Sequence, residues 1–185
     1  MSNEEALFKI IELMRRLERD LAIFYMTMAN GIHDNTISSI MRKIGLESAT
    51  HSYLLTLVKS LMRECLPRNI TDLETLSSMQ GDIEESLTHV HELMDFVNSK
   101  SKVSEDLTGV VIEKLNEFEG FESKATRMYS FLIRSYLPIT STKTDLRRRA
   151  TSKLIVKLLK GISDDEKEHQ ELLTLISELL RSEKA

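Results

Sequence analysis

The chain is poor in the residues that make tight turns and cross-links: one cysteine, two prolines, six glycines and no tryptophan in 185 residues. A lone thiol, Cys65, excludes a disulfide framework or a four-cysteine metal site within one chain, and the expected setting is reducing and cytoplasmic. So little Gly and Pro, with aromatics at 5%, leaves scant material for the hairpins of a β sandwich or barrel. The composition reads all-α. No apolar run reaches membrane-spanning length, and the acidic opening MSNEEALFK lacks the apolar core of a secretory leader, so no membrane association is expected. A formal net charge of −4 argues against nucleic acid as a partner, because neutralising phosphates takes a dense basic surface. The one basic run, Arg147-Arg148-Arg149, reads as a solvated helix face.

What is present is helical periodicity. Residues 1–185 are expected to form a single domain, large enough to bury most of the surface its unfolded chain would expose. Gly31 and the polar residues 33–35 end a first helical pattern. Pro67 follows a second that runs from about Thr36 to Cys65. A short amphipathic segment comes next, with Ile83, Leu87, Val90, Met94 and Val97 at helical spacing. The polar residues 99–106 lead to a third long helix expected to end before Pro138. Residues 140–145 read as a loop, and the rest is helical apart from a weak point at Gly161. The expected architecture is therefore a four-helix bundle with an additional short helix between the second and third long ones.

Charged residues interrupt the inward stripes at matching places. The first helix reads Leu7, Ile11, Met14, Glu18, Leu21, Tyr25, Met28, and the third reads Val111, Leu115, Phe118, Glu122, Ala125, Tyr129, Leu132. These agree at a constant offset of 104 residues, the mark of an internal repeat. The second helix reads Ile40, Ile44, Glu47, His51, Leu54, Val58, Leu61, and the fourth Leu159, Ile162, Glu166, His169, Leu173, Ile176, Leu180, with Glu47 and Glu166 offset by 119. Four carboxylates in one apolar core cost several kcal/mol unless something compensates them. No Lys or Arg stands on the stripes, so the compensation is protons or metal. Two divalent cations would balance four carboxylates and leave two imidazoles to complete a dinuclear shell of Glu18, Glu47, His51, Glu122, Glu166 and His169. Mixed oxygen and imidazole donors favour iron or manganese over a thiolate-seeking metal, with zinc also compatible. Tyr25 and Tyr129, on the same faces, are placed to hydrogen-bond the ligating carboxylates.

Taken together, Glu18 to Tyr25 (ERDLAIFY), Glu122 to Tyr129 (ESKATRMY) and Glu166 to His169 (EKEH) make the chain resemble the ferritin-like superfamily, and within it the rubrerythrin-like branch. The resemblance spans roughly residues 7–64 and 108–180. It implies a ferritin-like four-helix bundle with a non-haem di-iron centre that reacts with peroxide or dioxygen, or oxidises ferrous iron. It also implies Glu119 as an additional movable ligand and a homodimer, in which the long connection from about residue 66 to 103 would let two chains exchange hairpins. Two departures stand out. Where the family has Glu-x-x-His on the second helix, LESATH puts His51 four residues after Glu47, which a π-bulge would absorb. One cysteine cannot furnish a rubredoxin-type module, so electrons would come from a separate donor protein.

Plainer explanations exist for each residue. Ser163-x-x-Glu166 also matches a capping box with Gly161 closing a preceding helix. His51 could be a core imidazole satisfied by a backbone carbonyl, and Tyr25 and Tyr129 could simply fill the core. His33, His89 and His91 read as structural or exposed, and the nine methionines as core filler. The functional alternatives to a di-iron oxidoreductase are a catalytically degenerate bundle with a binding or structural role, and an iron-storage subunit.

Overall fold

The computed structural model describes residues 3–66, 73–101, 106–141 and 145–182, and among them there is no strand. Five helices follow one another: α1 Asn3–Gly31, α2 Asn35–Met62, α3 Leu73–Ser101, α4 Thr108–Ser141 and α5 Leu146–Ser182. None is long and apolar enough to cross a membrane. α1 and α2 pack along each other as one hairpin, α4 and α5 as a second, and α2 lies against α5. The result is an all-helical bundle around one apolar core.

The first hairpin turns in three residues. Asp34 caps α2 by accepting a hydrogen bond from the Ile37 amide at 2.8 Å. Gly31 closes α1, and its carbonyl accepts the Leu107 amide at 2.7 Å. A Cβ at Gly31 would fall 2.7 Å from Leu107 Cγ, so glycine lets the Leu107 side chain pack directly on the end of α1. Gly45 has a similar role midway along the hairpin. A Cβ there would meet Met26 Cγ at 3.1 Å, Tyr25 Cβ at 3.2 Å and the Ala22 carbonyl oxygen at 3.3 Å, so α2 approaches α1 beside Tyr25 more closely than a side chain comfortably permits.

The stripes expected for α1, α4 and α5 are all buried. The stripe expected for α2 is displaced by one residue. Its buried face runs Ile37, Met41, Ile44, Gly45, Ser48, His51, Leu55, Val58, Met62, which leaves Ile40, Glu47, Leu54 and Leu61 on the flank. α2 is regular α-helix throughout, without the π-bulge that the Glu47 to His51 spacing suggested.

Three boundaries differ from expectation. α3 is not short: at 29 residues it equals α1, because Leu76 and Met79 extend its apolar stripe upstream through an exposed Gly81. α4 continues past Pro138 to Ser141. That position lies in the last turn, where a missing backbone N–H costs one hydrogen bond rather than a run of them. α5 passes through Gly161 without a break, so Ser163 and Glu166 are buried mid-helix residues and do not form a capping box.

α3 covers the seam between α1 and α4. His91 Nε2 lies 2.9 Å from Asp20 Oδ2 on α1, and His89 Nε2 lies 2.6 Å from Glu117 Oε2 on α4. Glu84 pairs with Lys9 at 3.4 Å and Glu85 with Lys124 at 3.2 Å, again one tie to each helix. The basic run is likewise more than a solvated face. Arg147 pairs with Glu64 at 3.2 Å, Arg148 donates to the Leu66 carbonyl at 2.7 Å, and Arg149 donates to the Thr140 carbonyl at 3.0 Å, which fastens the start of α5 to the ends of α2 and α4. Cys65 is buried in the same region, its Sγ 3.3 Å from the Arg148 carbonyl oxygen.

Candidate metal centre

Each of the four core helices sends ionisable side chains to one level of the bundle. α1 contributes Glu18, α2 His51, α4 Glu122, and α5 both Glu166 and His169, and none of the five is more than 3% exposed. They form two groups, Glu18 with His51 and Glu166, and Glu122 with Glu166 and His169. Within each group one potential ligand atom per residue lies within 4.8 Å of the others.

Glu166 belongs to both groups. Its Oε1 lies 2.8 Å from His51 Nδ1 on one side, and its Oε2 lies 3.8 Å from His169 Nδ1 on the other. His51 Nδ1 is also 3.5 Å from Glu18 Oε2, and His169 Nδ1 is 3.3 Å from Glu122 Oε2. The two imidazoles stack with centroids 5.7 Å apart. Three of these atoms, Glu18 Oε2, His51 Nδ1 and Glu166 Oε1, are buried without a hydrogen-bond partner although they face one another at these short separations. They lie close together without the alignment of a hydrogen bond, and once the imidazole gives up its proton the three atoms offer donors to a cation.

The outer atoms of the site are well anchored. Tyr25 on α1 donates to Glu122 Oε1 at 2.6 Å, and Tyr129 on α4 donates to Glu18 Oε1 at 2.5 Å. Each tyrosine thus crosses to the carboxylate of the opposite hairpin and occupies one oxygen, leaving the other directed inward. The imidazoles are held in the same reciprocal way. His51 Nε2 meets Asp165 Oδ2 of α5 at 3.1 Å, and His169 Nε2 meets Glu47 Oε2 of α2 at 3.0 Å, so both Nδ1 atoms face the interior.

Burial and proximity perturb Glu122, Glu166, both imidazoles and both tyrosines. Burial, together with the charges of Glu18 and Glu122, pushes the Glu166 carboxyl well above the usual carboxylate range. Burial also raises Glu122, but hydrogen bonds from Glu166, His169 and Tyr25 outweigh it and leave that carboxyl below its ordinary value. Burial alone would lower both imidazoles, yet the adjacent carboxylates lift His51 to about 11 and His169 to about 10. Tyr25 and Tyr129 are raised well above 10, first by burial and then by Glu122 and Glu18 respectively, and therefore stay neutral donors. Without a metal, two imidazolium protons and one on Glu166 balance the charges. Two ions could take their place.

Of the residues expected at the site, Glu18, His51, Glu122, Glu166 and His169 are brought together, and Tyr25 and Tyr129 contact two of them. Glu47 does not join either group. Its side chain is 33% exposed, Lys43 Nζ grips both its oxygens at 2.8 and 2.6 Å, and it meets His169 only from behind. Glu119 sits partly exposed on the flank of α4 and also belongs to neither group.

Asp165 was missed, and so was the true register of the repeat. Buried residues of α2 and α5 correspond at an offset of 118, which pairs Ile37 with Ile155, Met41 with Leu159, Ile44 with Ile162, His51 with His169, Leu55 with Leu173 and Val58 with Ile176. On this register Glu47 is the counterpart of Asp165, and the counterpart of Glu166 is Ser48, buried at 1% exposure. Compared with known proteins, the chain matches no family model, no curated protein and no solved structure, so its likeness to the ferritin-like superfamily rests on its own residues.

Proposed function

We propose that the chain is a dinuclear metal protein of rubrerythrin-like type, iron being the metal its donors suit best, and that it works in peroxide or dioxygen reduction or in ferrous iron oxidation. The carrying observation is the convergence of Glu18 Oε2, His51 Nδ1 and Glu166 Oε1, buried and without hydrogen bonds, with a second group of the same composition sharing Glu166. One ion would be held by Glu18, His51 and Glu166, and the other by Glu122, His169 and Glu166. Carboxylate and imidazole donors without a thiolate favour iron or manganese over copper(I). When bound, such a pair supplies the Lewis acidity and electrons that these side chains lack.

The chain's own residues position and insulate the centre. Tyr25 and Tyr129 pin one oxygen of Glu122 and of Glu18 and leave the second free to turn inward. Glu47 and Asp165 hold the imidazoles by Nε2 and keep Nδ1 directed at the centre. Leu21, Phe24, Phe118 and Ile162, all buried, exclude bulk water around this level and so strengthen the electrostatics within it. A single cysteine provides no internal relay of the rubredoxin kind, so reducing equivalents would come from a separate protein.

A second reading, a bundle that has given up catalysis, draws on Ser48, which leaves three buried carboxylates where two divalent ions would be matched by four. Anaerobic ferrous loading followed by elemental analysis and a peroxide challenge separates the two. The dinuclear reading expects about two irons per chain and an oxo-bridged ferric spectrum. Failure to take up any metal would favour the silent bundle.

A further inference from the structure

Helix α2 matches α5 in the imidazole of the site and in the carboxylate of the preceding turn that holds the opposite imidazole, and departs from it at one buried position. At the offset that pairs His51 with His169 and Glu47 with Asp165, Glu166 has Ser48 as its partner. Ser48 precedes His51 by three residues, as Glu166 precedes His169, so both stand one turn before their imidazole on the inward face. Glu166 presents one oxygen to each half of the centre. Its counterpart on α2 ends at a hydroxyl, shorter by the length of an acetate-like group. Ser48 is 1% exposed, as deeply buried as Glu166 itself.

Charge identifies what belongs there. Two divalent ions bring four positive charges, and Glu18, Glu122 and Glu166 return three. Glu47 lies outside the centre with its charge answered by Lys43 at 2.6 Å, and Asp165 is 46% exposed to solvent. One uncompensated positive charge in a dry core is costly, and a monoanion removes it. The donor type follows from the repeat, since the corresponding position on α5 carries a carboxylate.

Resting on the dinuclear reading above, we infer that the α2 side of the centre takes a small monocarboxylate, acetate or formate in kind, at the position where Ser48 leaves the protein without a carboxylate, where it would balance the remaining charge and the Ser48 hydroxyl would donate to it. No bond is made or broken beyond metal coordination. The site completes itself with a ligand from solution.

The test is calorimetric titration of the metal-free protein with cobalt(II), with and without acetate, alongside the visible ligand-field bands of the bound metal. In the native protein acetate should raise the affinity for the second cobalt at least about tenfold and shift the bands. Ser48→Glu should bind two ions tightly and ignore acetate, because its own carboxylate fills the position. Ser48→Ala, a change too small to threaten folding, should keep the acetate dependence with weaker acetate affinity. Two cobalt ions bound with no response to acetate in the native protein, or the same response in Ser48→Glu, would overturn the inference and leave the dinuclear reading standing. No cobalt uptake at all would sink the dinuclear reading, and the inference with it.

Discussion

Helices α1 and α4 offer the centre the same pair of side chains, a Glu and, seven residues on, a Tyr that crosses to the other helix's Glu. Helices α2 and α5 agree in their histidines and in the carboxylates behind them, and then differ where Glu166 faces Ser48. Symmetry is thus kept in the groups that orient the donors and broken in the group that joins the two halves. A site whose two halves share one carboxylate places an unusual burden on it, and that burden can be measured.

The largest expected effect is on Glu166. Glu166→Gln should abolish tight binding of both ions, whereas Glu18→Gln and Glu122→Gln should each weaken one, as read by metal content after gel filtration. Metal-free Glu166→Gln should also unfold in urea at no lower a concentration than the native protein. Burial and two neighbouring carboxylates already push that carboxyl up, so its charge is not what holds the apo fold together. Equal metal loss in all three variants would remove Glu166 from its shared position.

Next come the anchors behind the imidazoles. Glu47→Gln and Asp165→Asn should each lower metal affinity by roughly 10- to 100-fold, and by similar factors, since each holds one Nε2 at about the same distance. A loss confined to Glu47→Gln would show that it ligates directly, as the spacing in LESATH first suggested. Tyr25→Phe and Tyr129→Phe should each cost roughly 1.5–3 kcal/mol of stability in denaturant titration, the range for a hydrogen bond to a charged group. A large difference between them would mean that the two crossings are not equivalent.

Two glycines probe the packing of the hairpins. Gly45→Ala inserts a methyl group where the Ala22 carbonyl oxygen stands 3.3 Å away and should destabilise by roughly 1–3 kcal/mol. Gly161→Ala, at a helical position where a Cβ meets nothing within 4 Å, should stabilise by roughly 0.5–1 kcal/mol. The smallest effect separates the two hairpins by charge. Glu12 on α1 bonds Arg15 at 2.6 Å and Lys59 of α2 at 2.7 Å, while the corresponding positions on α4 and α5 are Asn116 and Ser177. Hydrogen bonding to Arg15 and, after it, Lys59 outweighs burial and holds the Glu12 carboxyl down at about 2. Because the folded value is depressed, its contribution is present above about pH 4.5 and fades as pH falls towards 2. Glu12→Gln should therefore be less stable than the native protein by no more than about 1 kcal/mol at pH 7, with the gap closing by pH 2. An undiminished gap at low pH would assign the effect to packing.

Much of this was legible in the sequence because on α1, α4 and α5 the Glu, Tyr and His residues of the site continue an apolar stripe at helical spacing, and each of those stripes is buried. α2 was different. Its apolar residues lie on two adjacent stripes that share Ile44, His51 and Val58, and Ile40, Leu54 and Leu61 are as hydrophobic as Met41, Leu55 and Met62. Periodicity cannot choose between such stripes, and the one that is not buried carries Glu47, a ligand-type side chain. The register of the repeat would have decided between them, since only an offset of 118 pairs His51 with His169. The role of Asp165 was hidden for a further reason: its partner is on another helix, and contacts between helices leave no mark on the spacing within one. α3 looked short because Gly81 and the serines before it resemble a loop, although the burial of Leu76 and Met79 carries the helix through them.

The central claim is that Glu166 stands between two metal ions. Crystals of the protein loaded with manganese(II), measured at wavelengths either side of the manganese absorption edge, test it most directly. The account predicts two anomalous peaks flanking Glu166, one within coordination distance of Glu18 and His51 and the other of Glu122 and His169. Peaks confined to surface carboxylates, with Glu166 still facing two imidazoles across a metal-free core, would contradict it.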